Sequence, residues 1–247
     1  MFFQADPGTS WAGSIAACME YPHNRPYTAD DLVRIITLLR DPVNGCPWDK
    51  VQTHTSIRMN FLEEAYEAVD ALDLDDPVLM CEELGDVLMQ VAFHTCIEQE
   101  TGRFTWEQVC DGVCQKLIER HPNIFGTQPG YEGITDWDAL KNKEKGRRTL
   151  ADDLESVPRA MPALMRAAKL QKRAARHGAA LQGADAAALA DAAENLQTAQ
   201  PASAQAEQAV GELLFAAANL ARQAGVDPEQ ALQKANEAFC TAAGPVA

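Results

Sequence analysis

Apolar residues recur along this chain at helical spacing, in runs separated by Gly, Pro, Asn and Asp. The first run is preceded by Thr28, with Asp31 three residues later. That pair predicts a capped helix ending near Arg40. Residues 41–54 (DPVNGCPWDKVQTH) carry Pro, Asn-Gly and Pro again, and predict a loop. A second helix is expected over about 55–73. Its core stripe is Ile57, Phe61, Ala65, Ala68 and Leu72, and a second stripe of Asn60, Glu64, Glu67 and Ala71 lies beside it. Asp76-Pro77 supplies an N-cap and a first-turn proline for a third helix reaching about Thr101. Thr105 and Gln108 open a fourth helix that ends near His121-Pro122. A short helix is expected over 135–147.

Beyond residue 149 the pattern changes. A linker is expected at 149–160. An Ala- and Gln-rich helical region follows, broken near Gly183 and Pro201, and two last helices are expected at about 204–224 and 228–241. ELGDVLMQVAFH at 83–94 resembles VGELLFAAANLA at 210–221, a hint of two related halves. The expected organisation is an N-terminal extension (1–26), a helical domain (27–148), the linker (149–160) and a second helical domain (161–247). The fold class is all-α, a helical bundle.

The polar positions carry the candidate chemistry. Between Met59 and Gly102 there is no Lys or Arg, yet the stretch holds twelve Asp and Glu residues. A solvated helix face ordinarily mixes signs to gain i,i+4 pairs. On the second helix Glu64 and Glu67 flank the core stripe, while Glu63 and Asp70 project away from it. The third helix is apolar almost all round, which predicts burial on several sides, yet Glu83, Asp86, Gln90 and His94 share one of its faces. Gly85 lies between the two acids, where a close helix approach would account for it. A short turn joins the two helices and makes them antiparallel neighbours, so Glu64, Glu67, Glu83 and Asp86 can converge. Four carboxylates in one hollow need cations to stay ionised, and all-oxygen ligands suit Mg²⁺, Mn²⁺ or Ca²⁺. A di-iron bundle would need Glu-x-x-His on two helices. Here Val91 precedes His94 and Ile118 precedes His121 at that spacing.

Composition narrows the picture further. The formal charge of −15 disfavours binding to nucleic-acid backbone or anionic membrane. Seven cysteines without a CxxC pair read as reduced thiols of a cytoplasmic protein. No run approaches membrane-spanning length. If a divalent cation sits among the acids, substrate phosphates are its usual companions. Cations that could meet them lie off the acidic helices: Lys50 and Arg58 before them, Lys116 and Arg120 four apart on the fourth helix, and Lys141 beyond. Trp48 and Trp137 could stack on a base.

These motifs together resemble a known family. LRDPVNGCPWDKVQTHTSIR at 39–58, LEEAYEAVDAL at 62–72, EELGDVLMQVAFH at 82–94, GRFTWEQV at 102–109 and KLIERHPNIFG at 116–126 are similar to the MazG family of nucleoside triphosphate pyrophosphohydrolases. The similarity continues more weakly through VPRAMPALMRAAKLQKRA and ELLFAAANLARQAG, in the layout of tandem-domain members. The resemblance implies the all-α NTP pyrophosphatase fold, a homodimer, and Mg²⁺ (or Mn²⁺) held by Glu64, Glu67, Glu83 and Asp86 with Glu63 as a possible fifth ligand. It also implies hydrolysis of NTPs to monophosphate and pyrophosphate, as in cleansing of the nucleotide pool. Lys50, Asn60, Lys116, Arg120, Trp137 and Lys141 fall at positions expected to face nucleotide.

The second half departs from the family pattern. Where the second pair of acids should fall there are only Asp191 and Glu194. The second ExxD reads Ala209-Val210-Gly211-Glu212. An inactive C-terminal half, kept for packing or dimerisation, is therefore expected. Two rival readings stand beside the enzyme. One is a non-catalytic helical partner for nucleotide or protein; the other is a narrower dUTP- or phosphoribosyl-ATP-type pyrophosphohydrolase.

Overall fold

A computed structural model describes residues 20–23, 25–122, 124–126, 145–146 and 149–244. The described residues form nine α-helices and a short 3₁₀ turn, with no strand among them. The chain divides into two compact units, Met1–Gly133 and Ile134–Ala247.

In the first unit, α1 spans Ala29–Leu39, α2 His54–Asp73, α3 Pro77–Glu100 and α4 Trp106–Arg120. Local chemistry sets their starts. Thr28, Thr53 and Thr105 each accept a hydrogen bond from the backbone N–H three residues on, and Asp31, Ser56 and Gln108 reciprocate. Asp76 caps α3 through the N–H groups of Val78 and Leu79, with Pro77 in the first turn. Because Thr53 is the cap, α2 begins at His54, a residue assigned to the loop by its composition. The helices meet over Ile36, Ile57, Ala92, Phe93, Cys96 and Ile97, with Leu32, Val33, Met89 and Trp106 packed around them. Arg40 closes this core at the end of α1. Its guanidinium makes a bidentate pair with Glu100, donates to the carbonyls of Asp49 (2.7 Å) and Gln52 (3.1 Å), and stacks over Phe93. One side chain thereby anchors the 41–53 loop to α3.

Three expectations about these helices change. Leu72 is exposed, whereas Ala71 from the neighbouring stripe is fully buried. A methyl group there lets α2 lie close to α3, and the larger Leu is turned outward. The third helix is buried only in its C-terminal half, where Ala92, Phe93 and Thr95 to Glu98 are enclosed, while Val78, Leu84 and Leu88 stay exposed. The reason is that α1 packs at that end and α2 covers one side of α3. Gly85 has open space around it, so no close helix approach explains it.

In the second unit, α5 spans Leu150–Glu155, α6 Ala163–Arg176, α7 Ala186–Thr198, α8 Ala204–Gln223 and α9 Pro228–Ala243. The segment expected to be a linker thus contains a helix. Thr149 and Asp152 form its capping box, and Asp153 is buried against α6. Asp153 pairs with Arg173 (Nη1–Oδ1 3.0 Å) and lies 3.2 Å from His177 Nε2. Arg173 also donates to the Asp153 carbonyl and to Ser156. Gln171 donates to the Phe215 carbonyl (2.8 Å), joining α6 and α8, and Asn219 of α8 to that of Ala184 (2.6 Å) in the loop before α7. Asp153→Ala would leave the Arg173 guanidinium buried without its carboxylate. A loss of about 3 kcal/mol from this unit is expected, read as an earlier urea transition of the second half. The short helix expected over 135–147, with Trp137 and Lys141, lies outside the described residues.

Candidate metal centre

Helices α2 and α3 run side by side, joined by the Leu74–Asp76 turn. Glu64 lies in the middle of α2. Glu83 and Asp86 lie one turn apart in the exposed half of α3. Carboxylate oxygens of these three residues come within 4.8 Å of one another, each half-buried. Among the described residues no other group of three His, Cys, Asp or Glu side chains converges so closely.

The electrostatics match this geometry. The Glu64 carboxyl is pushed above the usual carboxylate range. Its burial is the largest cause, followed by the charges of Asp86, Glu67 and Glu83, and a hydrogen bond from Gln90 partly offsets them. Glu83 is raised too, by desolvation and then by Glu67, Asp86 and Glu82. Glu67 is exposed and lies outside the converging trio, but its field reaches both of these acids. Glu63 is exposed on α2. Like charges held this close favour protons unless a cation takes their place. Hard oxygen donors of this kind suit a divalent ion such as Mg²⁺ or Mn²⁺, so the residues present fit such a group.

A pH dependence follows. Glu64 and Glu83 have folded-state values above those of the unfolded chain. They therefore favour the metal-free fold most below the unfolded carboxylate range, near pH ~4.3, and this support is lost as pH rises through the raised values. Added Mg²⁺ competes with protons for the same oxygens. The rise in melting temperature on adding Mg²⁺ is therefore expected to grow from acid toward neutral pH. A rise of equal size across that range, recorded by scanning fluorimetry, would rule out this linkage.

The candidate phosphate and base contacts are distributed as follows. Lys50 sits half-buried in the 3₁₀ turn Asp49–Val51, its ammonium 3.5 Å from the Pro42 carbonyl. Asn60 is half-buried one turn before Glu64 on α2. Lys116 is exposed on α4, and Arg120 is half-buried at the end of that helix. Trp48 is 48% exposed, open enough to receive a flat ring. Trp137 and Lys141 lie outside the described residues.

A second polar cluster escapes composition-based reading. His54, at the start of α2, meets His94 of α3 with their Nδ1 atoms 2.7 Å apart and their rings stacked. His54 Nε2 meets buried Glu98, which Arg103 also engages at 2.6 Å. The available signal was the cap at Thr53, which moves His54 into the helix and onto the side facing α3.

In the second unit, Asp191, Asn195, Gly211 and Glu212 help line an open cavity of about 700 Å³. Ala209, which the sequence comparison of the two halves aligns with Glu83, is 2% exposed and packs in the interior.

Comparison with known proteins extends these observations. Residues 52–125 match the model of the MazG nucleotide pyrophosphohydrolase domain. The chain is 41% identical over 219 residues to the nucleoside triphosphate pyrophosphohydrolase of Escherichia coli K12, covering 85% of this chain and 83% of that protein. It is 39% identical over 212 residues to the nucleoside triphosphate pyrophosphohydrolase/pyrophosphatase MazG of Thermotoga maritima, covering 85% and 82%. The nucleoside triphosphate pyrophosphohydrolase of Mycobacterium tuberculosis is 36% identical over 151 residues, 60% of this chain and 46% of that one.

Proposed function

The chain belongs to the MazG family of nucleoside triphosphate pyrophosphohydrolases, and from that premise we propose that its N-terminal unit carries the reaction, with Glu64, Glu83 and Asp86 as the divalent-cation ligands. The observation that carries this reading is the convergence of three half-buried carboxylates from two helices, with no Lys or Arg anywhere from residue 60 to residue 101. Glu67 completes the acidic field, and Glu63 stands at its edge. Mg²⁺, or Mn²⁺ in its place, would neutralise phosphate charge and lower the pKa of bound water when held there.

The chain's own groups supply the rest. Gln90 lies near Glu64 and favours its ionised form. One carboxylate of the acidic field would accept the proton of the attacking water. Lys116 and Arg120, four residues apart on α4, are read as the groups that bind the pyrophosphate leaving group, on their charge and spacing. Asn60 and Lys50 are read as nucleotide contacts, and exposed Trp48 as a surface on which the base can stack. The second half lacks the matching acids: Ala209 stands where the first acid of the motif would be, so this unit serves packing rather than turnover.

The family premise also brings a homodimer into the reading, and one feature of this chain supports it. Tyr66, Val69, Leu72, Leu84 and Leu88 leave an apolar face exposed on α2 and α3. An exposed apolar face of this kind is suited to another protein surface.

The test is a panel of nucleoside triphosphates with Mg²⁺, assayed separately for pyrophosphate and orthophosphate. Release of pyrophosphate from several bases is expected. Nucleotide binding without turnover would overturn the catalytic assignment, and turnover of dUTP alone would replace broad specificity with a narrow one.

A further inference from the structure

We propose that His54 and His94 form a proton-limited latch that holds the far end of the α2–α3 pair closed, and that adding a second proton to the pair opens it.

Hydrogen-bond bookkeeping supports this. With the two Nδ1 atoms 2.7 Å apart, only one hydrogen fits between them. His54 Nε2 meets the Glu98 carboxylate, so that nitrogen carries a hydrogen. Two protonation states satisfy both contacts. In one, both rings are neutral and His94 donates to His54. In the other, the pair carries one added proton, and whichever ring holds it donates through Nδ1 to its neighbour. One further proton would place hydrogens on both Nδ1 atoms, and the contact would become a repulsion between two stacked imidazolium rings. Burial, and then the neighbouring His54, hold His94 below the usual histidine range, which delays that event into mildly acidic pH.

The charged surroundings are already partnered. Glu98 is engaged by His54 and by Arg103. Arg40, which packs on Phe93 beside His94, is paired with Glu100. On α2 itself the next cation is Arg58, exposed one turn after His54. No carboxylate in this set is left over to neutralise a charged His94.

The latch has a place in the mechanics of the site. The α2–α3 pair is tied at one end by the turn 74–76 and at the other by His54, His94 and Glu98. Phe61 lies against His94 between that end and Glu64. The mutually repelling acids Glu64, Glu83 and Asp86 lie between the two ties and push the helices apart. His54 and His94 are thus positioning residues, and opening the latch would loosen the register of Glu64 against Glu83 and Asp86 while the apolar cluster of Ile57, Phe93 and Ile97 keeps the helices packed. This consequence for turnover rests on the metal reading of the carboxylates; the latch itself does not.

The test uses the full chain. The five histidines allow imidazole resonances to be assigned and titrated by NMR without metal. His94 is expected to titrate below the ordinary value of about 6.5, and to move upward in His54→Gln. In His94→Gln, a carboxamide can meet His54 at every pH and cannot become charged. Its metal-free melting temperature should fall less than that of the wild type between roughly pH 6.5 and 5. With Mg²⁺ and a nucleoside triphosphate, its acid limb of pyrophosphate release should lie about half a pH unit or more lower. If His94→Gln fails to fold, the wild-type titration and the His54→Gln shift decide the matter alone. A His94 that titrates at or above the ordinary value, unmoved by His54→Gln, would overturn the latch. A latch that titrates as expected while both enzymes share one turnover profile would overturn its coupling to the site. A wild type inactive at every pH, with the His94 titration as expected, would count against the metal reading and not against the latch.

Discussion

Pyrophosphate release is expected to fall by about 10³-fold or more in Glu64→Gln and in Glu83→Gln, while helix content stays at the wild-type level. The substitution preserves shape but removes a negative oxygen from a cluster whose members lie within 4.8 Å of one another. Two changes follow from the loss of one charge. The remaining carboxylates repel less, so the metal-free protein should become more stable toward neutral pH, where the raised Glu64 and Glu83 carboxyls are otherwise forced to ionise. Mg²⁺ loses a hard ligand, so its stabilisation of the fold shrinks. Activity and metal-free stability should therefore move in opposite directions, a signature that an ordinary folding defect does not produce. Circular dichroism, melting with and without Mg²⁺, and a pyrophosphate assay together check it. Wild-type turnover in both variants would remove these residues from the site. Glu63→Gln provides the contrast. Its side chain is exposed on α2, outside the converging trio, and a loss of less than about tenfold is expected, through field alone.

Gly45→Ala is expected to destabilise the N-terminal unit by roughly 3 kcal/mol. A β-carbon at this position would sit 2.4 Å from the Asp41 carbonyl oxygen, 2.5 Å from that of Leu39 and 2.7 Å from the Asp41 nitrogen. All three are backbone atoms and cannot swing aside. They are also held in place: Gly45 N–H donates to Asp41 O (2.9 Å), Cys46 N–H to Leu39 O (2.8 Å), and the Asp41 carboxylate accepts from the N–H groups of Val43 and Asn44. Relief requires opening the turn that links α1 to the 3₁₀ segment carrying Lys50. The same turn leads to Asp49 and Gln52, whose carbonyls Arg40 binds. A lower urea midpoint for the N-terminal unit and faster amide exchange over residues 41–53 are expected. A midpoint within about 0.5 kcal/mol of wild type, the usual range for a neutral surface change, would show that the turn yields. Gly85→Ala is the internal control, because a β-carbon there meets nothing within 4 Å, and its helix should gain up to about 1 kcal/mol.

Much of the first unit was legible because its signals are local. Thr28 with Asp31, Thr105 with Gln108 and Asp76 with Pro77 place helix starts through bonds that span no more than four residues. The acids could be placed on stripes for a related reason, since helical phase relates Glu64 to Glu67 on one helix and Glu83 to Asp86 on the other. What phase could not supply was the exact rotation of α2 against α3. That rotation buries Ala71 instead of Leu72, leaves Glu67 outside the converging trio and leaves open space beside Gly85. It depends on which side chains let two backbones approach, a property of both helices at once.

The second unit shows the same division. Composition around residues 149–160, with prolines close by, reads as a connector, yet Asp153 is drawn into the interior because Arg173, twenty residues later, meets it there. The capping pair Thr149 and Asp152 was present in the chain all along, but only burial of the Asp153–Arg173 pair explains why so short a helix is worth forming. His54, His94 and Glu98 are a parallel case: forty-four residues separate the first from the last, and no periodicity links a helix's first residue to the end of another. The sequence by itself therefore determined most of the helices, the caps at Thr28, Asp76 and Thr105, the family and the excess of acid, all of which rest on short-range bonding or on residue type. Only the tertiary structure decided which acids meet, which apolar residues stay in water and which histidines share a proton. Those outcomes are set by contacts between distant segments, whose geometry depends on how whole helices pack.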